Sequence, residues 1–169
     1  MIFEKYLLPD RLFGSFREVT PDVLAEMGVR ALLCDIDNTL VTYDDPEPTP
    51  EVAAWFAALR AAEIGVAFIS NNDAARVDRF NRTLGYPAYP KAKKPSPKPY
   101  AAAAAALGVP REACAVLGDQ LLTDAWAAHR FGVPALIVPP IRDKRSLFFR
   151  FKRWLEKPYM RKARREAPN

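Results

Sequence analysis

The sequence predicts an α/β domain: a doubly wound, mostly parallel five-stranded sheet with no inserted cap domain. Two observations lead there. Short apolar runs alternate with helix-like segments at the spacing of βαβ units. Several of those runs also end in residues able to do chemistry, namely Asp35, Ser70 and Asp119, with Lys94 following the weakest run. Ligands of doubly wound sheets bind beyond the carboxyl ends of the strands, and acids scattered over a surface would not all follow apolar strands.

Each element has its own signal. Residues 1–19 form an arm in which Phe3, Tyr6, Leu7, Leu8, Phe13 and Phe16 need a surface to cover. Thr20-Pro21-Asp22 reads as a helix cap, a proline at the first helical position and an acid in the first turn, and Gly28 closes that helix. Residues 29–34, apolar but for Arg30, are hydrophobic enough for a strand covered on both faces. Thr49-Pro50-Glu51 repeats the cap, and Val52, Trp55, Phe56 and Leu59 recur at helical spacing. Gly65 ends that helix, and residues 66–69 form a second strand running into Ser70-Asn71-Asn72. A helix over 73–84 stops at Gly85, and 86–89 make a short strand. Ser96-Pro97 caps a helix through the alanine run to Leu107, where small side chains permit close packing. Strands over 113–117 and 135–138 flank a helix over 122–131. Trp55 and Trp126 are assigned to the core, and the lone His129 receives no role.

Composition narrows the class. Half of the 169 residues are hydrophobic, which argues against disorder. No apolar run approaches the roughly 20 residues of a membrane span. The N-terminal residues include Glu4, Lys5, Asp10 and Arg11 and lack the layout of a signal peptide, so a cytoplasmic protein is expected. Cys34 and Cys114 lie in strand-like runs and read as buried thiols. Two cysteines and one histidine are too few for a four-ligand zinc site. Neither cysteine has an arginine in the next six positions, as a cysteine-based phosphatase would need.

The chemistry centres on Leu32-Leu33-Cys34-Asp35-Ile36-Asp37-Asn38-Thr39-Leu40. Ionised carboxylates belong in water unless they are paired or bind a metal. Two acids spaced i, i+2 at the end of an apolar strand therefore point to a held cation, with Mg²⁺ the obvious candidate. A hydrated strand-to-loop turn is the alternative.

The order Asp35-x-Asp37, Ser70, Lys94 and Gly118-Asp119-x4-Asp124 resembles the four motifs of the haloacid dehalogenase (HAD) superfamily, over about residues 29–138. It is most similar to the capless IIIA-type phosphatases and the YqeG-type family. That family's stretches are matched by residues 35–40, 70–72, 94–95 and 118–124. The resemblance implies a Mg²⁺-dependent phosphatase of Rossmann-like fold. In it Asp35 attacks phosphorus, and Asp37 is the general acid and then the base. Asp35, the backbone carbonyl of Asp37 and Asp119 hold the metal. Asp124 acts through a water in the metal's shell or by orienting Lys94. Ser70, the Asn71 backbone N–H and Lys94 hold the phosphoryl group. Lys91, Lys93 and Lys98 lie close by, and Lys94 is chosen for the pair it forms with Pro95. Thr39 is expected to support the loop by bonding Asp37. The related eukaryotic branch dephosphorylates phosphatidylglycerophosphate in mitochondria.

About 30 residues separate Asp37 from Ser70 and about 23 separate Ser70 from Lys94, too few for a cap domain. An open site is expected, suited to a macromolecular or membrane-bound substrate. Charge divides the chain into a catalytic domain, 1–141, and a basic tail, 142–169. The tail has eleven basic and three acidic residues, a net of +8 against +5 for the whole chain. Within it Leu147, Phe148, Phe151, Trp154 and Leu155 share one helical face, flanked by Arg145, Arg150, Lys152, Arg153 and Lys157, and Pro158 is expected to end the helix. Three docking surfaces stay open for that apolar face: the domain itself, an anionic membrane on its inner side, or, less favoured, nucleic acid. The function options are a lipid phosphatase, the same chemistry on a soluble, protein or nucleic-acid phosphate, and a non-catalytic RNA- or ribosome-associated module.

Overall fold

The computed structural model describes residues 3–142 and 147–166. Along the chain these form α1 (Glu4–Leu7), β1 (Arg11–Leu12), α2 (Pro21–Glu26), β2 (Ala31–Cys34), α3 (Pro50–Ala61), β3 (Gly65–Ile69) and α4 (Ala74–Asn81). They continue with β4 (Ala88–Tyr89), α5 (Lys98–Leu107), β5 (Cys114–Gly118), α6 (Trp126–Phe131), β6 (Ala135–Ile137) and α7 (Leu147–Glu166). Among the described residues the strands make one six-stranded sheet in the order β1-β6-β5-β2-β3-β4, parallel at every pairing. The sixth strand, absent from the expected five, is β1. Two residues carry no readable period, yet Arg11 and Leu12 pair with Leu136 and Ile137 at the sheet edge.

Strand β2 is central, and its residues alternate between two apolar layers. Leu32 and Cys34 face an aromatic layer with Trp55, Phe56, Phe68 and Phe80. Ala31 and Leu33 face a layer rich in small residues, including Ala103, Ala104, Ala127 and Ala128. The alanine run thus lets α5 lie close against the sheet. The caps form as predicted: Thr20 accepts from Val23 N and Thr49 from Val52 N, at 3.3 and 3.2 Å. Trp55 is buried and donates to Val19 O at 2.9 Å, whereas Trp126 is only half-buried, packed edge-on to Phe3.

Helix α7 departs from expectation in two ways. It continues through Pro158 to Glu166. Proline forfeits one backbone bond, roughly 3 kcal/mol in a helix interior. Beyond it Tyr159, Met160 and the buried Ala163 pack on the domain, and Lys162 pairs with Glu4 at 3.2 Å. The stripe that docks is also not the apolar one. Leu147, Phe148, Phe151, Trp154 and Leu155 stay exposed, and Glu156 is 2% exposed. The basic residue Arg145 lies outside the described residues.

His129, given no role from sequence, fastens the N-terminal arm. One ring nitrogen lies 2.9 Å from Tyr6 O and the other 2.8 Å from Asp10 Oδ2, which also accepts from Ala135 N at 2.7 Å. Burial disfavours the imidazolium, but the hydrogen bonds to Asp10 and Tyr6 O, together with the Asp10 charge, outweigh it and raise the His129 pKa above 6.5. Burial likewise opposes the Asp10 carboxylate, yet the bonds from His129 and Ala135 N hold its pKa below 3.8. A raised histidine stabilises below its unfolded pKa and loses that contribution as pH rises through its folded pKa. A depressed aspartate stabilises above its unfolded pKa and loses that contribution on acidification. The pair is therefore strongest between those two ordinary values and fades on the alkaline side. Urea unfolding should find Asp10→Asn, which keeps an acceptor for Ala135 N, more destabilising at pH 5.5 than at pH 8.5.

Candidate active site

Parallel strands in register bring their carboxyl ends to one edge. Cys34 lies level with Phe68 and with Leu117 on its two neighbours, so Asp35, Ser70 and Asp119 emerge side by side. Asp35 N donates to Leu117 O at 2.9 Å, which carries the ladder up to the acid itself. The pocket there has a volume of about 260 Å³. Asp35, Asp37, Ser70, Asn71, Lys94 and Asp124 all line it.

The Lys94 loop is tied to the end of β3. Ala92 N donates to Ser70 O at 2.9 Å, Lys91 N to Asn72 O at 2.8 Å, and Lys94 N to Asn71 Oδ1 at 2.8 Å. Arg130 reaches Pro95 O at 3.1 Å from the other side. Lys94 Nζ then sits 2.7 Å from Asp35 Oδ1 and 2.7 Å from Asp124 Oδ1, its side chain 3% exposed. Lys98 also precedes a proline, Pro99, so the Lys-Pro pair alone does not single out Lys94. Of the four, Lys94 is the one lodged between buried carboxylates, and Lys91, Lys93 and Lys98 are all exposed.

Asp124 stands on one wide helical turn, Leu121–Ala125, where Ala125 N reaches back to Gln120 O. Such turns are frequent at functional sites. Its Oδ2 accepts from Gln120 N at 3.2 Å, and its side chain lies over Gly118. Asp35, Asp119 and Asp124 offer carboxylate oxygens within 4.8 Å of one another, all three buried. Burial pushes Asp35 up to about 6, with Lys94 pulling down and Asp124 pushing up. Burial and the Asp35 charge carry Asp119 well above its usual range. Lys94 is itself raised: burial works against its ammonium, but Asp124 and Asp35 outweigh it. Three carboxylates thus share two cations, Lys94 and Arg153. The hard oxygen donors and the uncompensated charge fit a divalent ion such as Mg²⁺.

Asp37 points to the other side of the pocket. Arg76 grips its Oδ1 through Nε and Nη2 at 3.1 and 2.8 Å, and Asn72 Nδ2 donates to Oδ2 at 3.1 Å. Ser70 Oγ accepts from Asn72 N at 3.1 Å, leaving its own proton for another acceptor. Thr39 does not bond Asp37 as expected. Because the chain turns at Asn38, with φ of 67°, the Thr39 hydroxyl swings back between Asp35 Oδ2 and Asp119 Oδ1, at 3.0 and 3.3 Å.

Sequence reasoning missed four contributors. Arg76 of α4 was given no role from sequence, and it holds Asp37. Asn38 exchanges two bonds with the backbone of Arg142, at 2.7 and 3.2 Å, tying the Asp35 loop to the segment before α7. Arg153 donates to Asp119 Oδ2 at 2.7 Å, to Asp119 O at 2.8 Å and to Glu156 Oε2 at 3.1 Å. Glu156 Oε1 accepts from Leu122 N at 3.1 Å. The one hint of these last two is Glu156, the sole acid between positions 147 and 165, three residues after Arg153. The site is consequently less open than expected, since Phe149 and Lys152 of α7 line the pocket.

Comparison with known proteins identifies the family. A family profile described as haloacid dehalogenase-like hydrolase matches residues 10–132. The chain is 34% identical to the probable phosphatase YqeG of Bacillus subtilis over 166 residues, covering 98% of this chain and 96% of that protein. Among solved structures it is similar to an uncharacterized protein from Listeria monocytogenes, with TM-score 0.55 and 15% identity over 70% of this chain and 85% of that one. It also resembles CbbY from Rhodobacter sphaeroides in complex with phosphate, with TM-score 0.53 and 17% identity over 71% and 90%. At such identities the structures speak for the fold alone.

A Cβ at Gly118 would lie 2.3 to 2.5 Å from the Asp124 side chain, nearer than non-bonded Cβ contacts come. Gly118→Ala should therefore displace Asp124 from Lys94 and cost about 1–3 kcal/mol of stability, the usual penalty of overpacking. Denaturant unfolding would measure it.

Proposed function

Because the chain belongs to the haloacid dehalogenase-like hydrolases and is a phosphatase, we propose that it is a Mg²⁺-dependent phosphomonoesterase working through an aspartyl-phosphate on Asp35, with a lipid phosphate such as phosphatidylglycerophosphate as substrate. One observation carries the chemistry. Asp35 stands one residue beyond the central strand, 2.7 Å from a buried ammonium, with two further carboxylates within reach of one cation.

In this reading Asp35 attacks phosphorus as the bond from phosphorus to the leaving oxygen breaks. The electron pair departs with that oxygen, and Asp37 gives it a proton. Water then attacks the aspartyl-phosphate while Asp37 takes its proton, freeing inorganic phosphate and the Asp35 carboxylate. Arg76 and Asn72 hold Asp37 in place for both transfers. The Ser70 hydroxyl, the Asn71 N–H and the Lys94 ammonium receive the phosphoryl oxygens. Asp35, the Asp37 carbonyl and Asp119 would hold Mg²⁺, and Asp124 orients Lys94. When bound, the ion supplies charge that offsets repulsion between Asp35 and the anionic substrate.

The lipid reading rests on α7. Phe148, Phe151 and Trp154 are 63, 56 and 61% exposed on the helix whose Phe149 and Lys152 line the pocket. The exposed Arg150, Lys157 and Arg161 accompany them. Aromatic and basic residues together suit the interface of an anionic membrane. Among the described residues no helix is long and apolar enough to cross one. The proposed arrangement is a catalytic domain over 1–141, with the basic tail 142–169 bringing the outer stripe of α7 to the inner face of the membrane.

Phosphate release with Mg²⁺ tests both levels, using phosphatidylglycerophosphate in mixed micelles and a soluble aryl phosphate. Asp35→Asn should lose about a thousandfold or more on either substrate; retained turnover would remove Asp35 as nucleophile. The double variant Phe151→Ser/Trp154→Ser should lose about tenfold on the lipid relative to the aryl phosphate. An unchanged ratio would move the substrate to soluble, protein or nucleic-acid phosphates. Mg²⁺ binding without turnover of either substrate by the native protein would favour a non-catalytic binding module.

A further inference from the structure

The pocket has a wall that the chemistry above leaves unused. Phe149 and Lys152 reach it from α7, beside Gln120 and Thr123 of the wide turn after β5. Their placement is built into the fold. Lys152 precedes Arg153, which is bonded to the side chain and carbonyl of Asp119, and lies one turn before the buried Glu156, bonded to Leu122 N.

The cations around the site differ in what they hold. Lys94 is shared between Asp35 and Asp124, Arg76 holds Asp37, and Arg153 holds Asp119 and Glu156. Lys152 Nζ lies over the Phe148 and Phe149 rings, 4.9 and 5.7 Å from their centroids. Among the described residues no carboxylate pairs with it. A half-buried ammonium at the pocket, resting on ring faces and without a carboxylate partner among the described residues, is available to an incoming anion. The transferring phosphoryl group already has Ser70, Asn71 and Lys94, from the ends of β3 and β4. A pocket of about 260 Å³ has more room than one such group needs.

We propose that Lys152 is a specificity-determining residue that binds a second anionic group, a phosphodiester or carboxylate, on the leaving-group side of a phosphomonoester substrate. The inference rests on the phosphatase reading above and adds the class of ester preferred. Lysine fits this role, because a point charge on a flexible stem can follow an anion whose distance from the scissile bond varies.

The test compares two pairs of esters that differ in the second anion. Glycerol 3-phosphate and 3-phosphoglycerate form the soluble pair; phosphatidic acid and phosphatidylglycerophosphate in identical micelles form the lipid pair. The full-length native protein should favour the doubly anionic member. Lys152→Ala should lower that preference about tenfold through KM, the loss of one charge-assisted contact, and Lys152→Arg should keep most of it. Preference in the lipid pair alone assigns the second anion to a headgroup, and preference in the soluble pair alone assigns it to a small metabolite; either supports the proposal. A merely structural role would lower both members alike, and an unchanged ratio in Lys152→Ala overturns the inference. So does a native preference for the singly charged member. Hydrolysis of an aryl phosphate with none of the four esters overturns it too, while the phosphatase reading stands. Failure on the aryl phosphate as well sinks that reading and this inference with it.

Discussion

Everything at the strand ends turns on how a buried ammonium is shared. The Lys94 side chain is 3% exposed, and an unpaired charge so placed would cost several kcal/mol. Asp35 and Asp124 bring it into balance, and in doing so their spacing becomes fixed. The two acids come from β2 and from the turn after β5, so one lysine sets the distance between separate parts of the sheet edge. The loop carrying it is tied to Ser70, Asn71 and Asn72 on one side and to Arg130 on the other. A site assembled from four segments therefore behaves as one rigid unit, which is the condition for aiming a nucleophile.

Around that unit the charges are unequal. Lys94 and Arg153 face Asp35, Asp119 and Asp124, while Arg76 takes Asp37 alone. The surplus negative charge adds to burial in pushing Asp35 and Asp119 above the usual carboxylate range. A single divalent cation would reverse this, so the protonation of the cluster and its occupancy are two sides of one balance. Asp37 stands outside the trio, and its partners do not compete for the same cation.

Where the sequence was legible, a short-range rule was at work. The Thr-Pro caps, the two-sided apolar strands and the acids at strand ends each follow from a few neighbouring residues, and the sheet and the pocket lining follow from them. The features it hid are set by distant partners. Strand β1 exists only because β6 offers an open edge. His129 matters only because Asp10 and Tyr6 arrive from the other end of the chain. The stripe of α7 that docks was misread because apolarity was used to choose it, whereas Arg153 and Glu156 are drawn in by Asp119 and Leu122 N. Helix α7 passes Pro158 for the same reason, since its second half is held by tertiary contacts rather than by propensity.

The two stripes of α7 divide labour along a single helix. Residues 149, 152, 153 and 156 are answerable to the pocket and to Asp119, whereas 147, 151 and 154 face away. Substitutions on the outer stripe are free to accumulate without disturbing the acids at the strand ends, and those at 149 and 152 reshape the pocket wall without altering the outer face. Descendants of such a protein can change surface or pocket one at a time, through neighbouring positions of the same three turns, while the acids at the strand ends stay as they are.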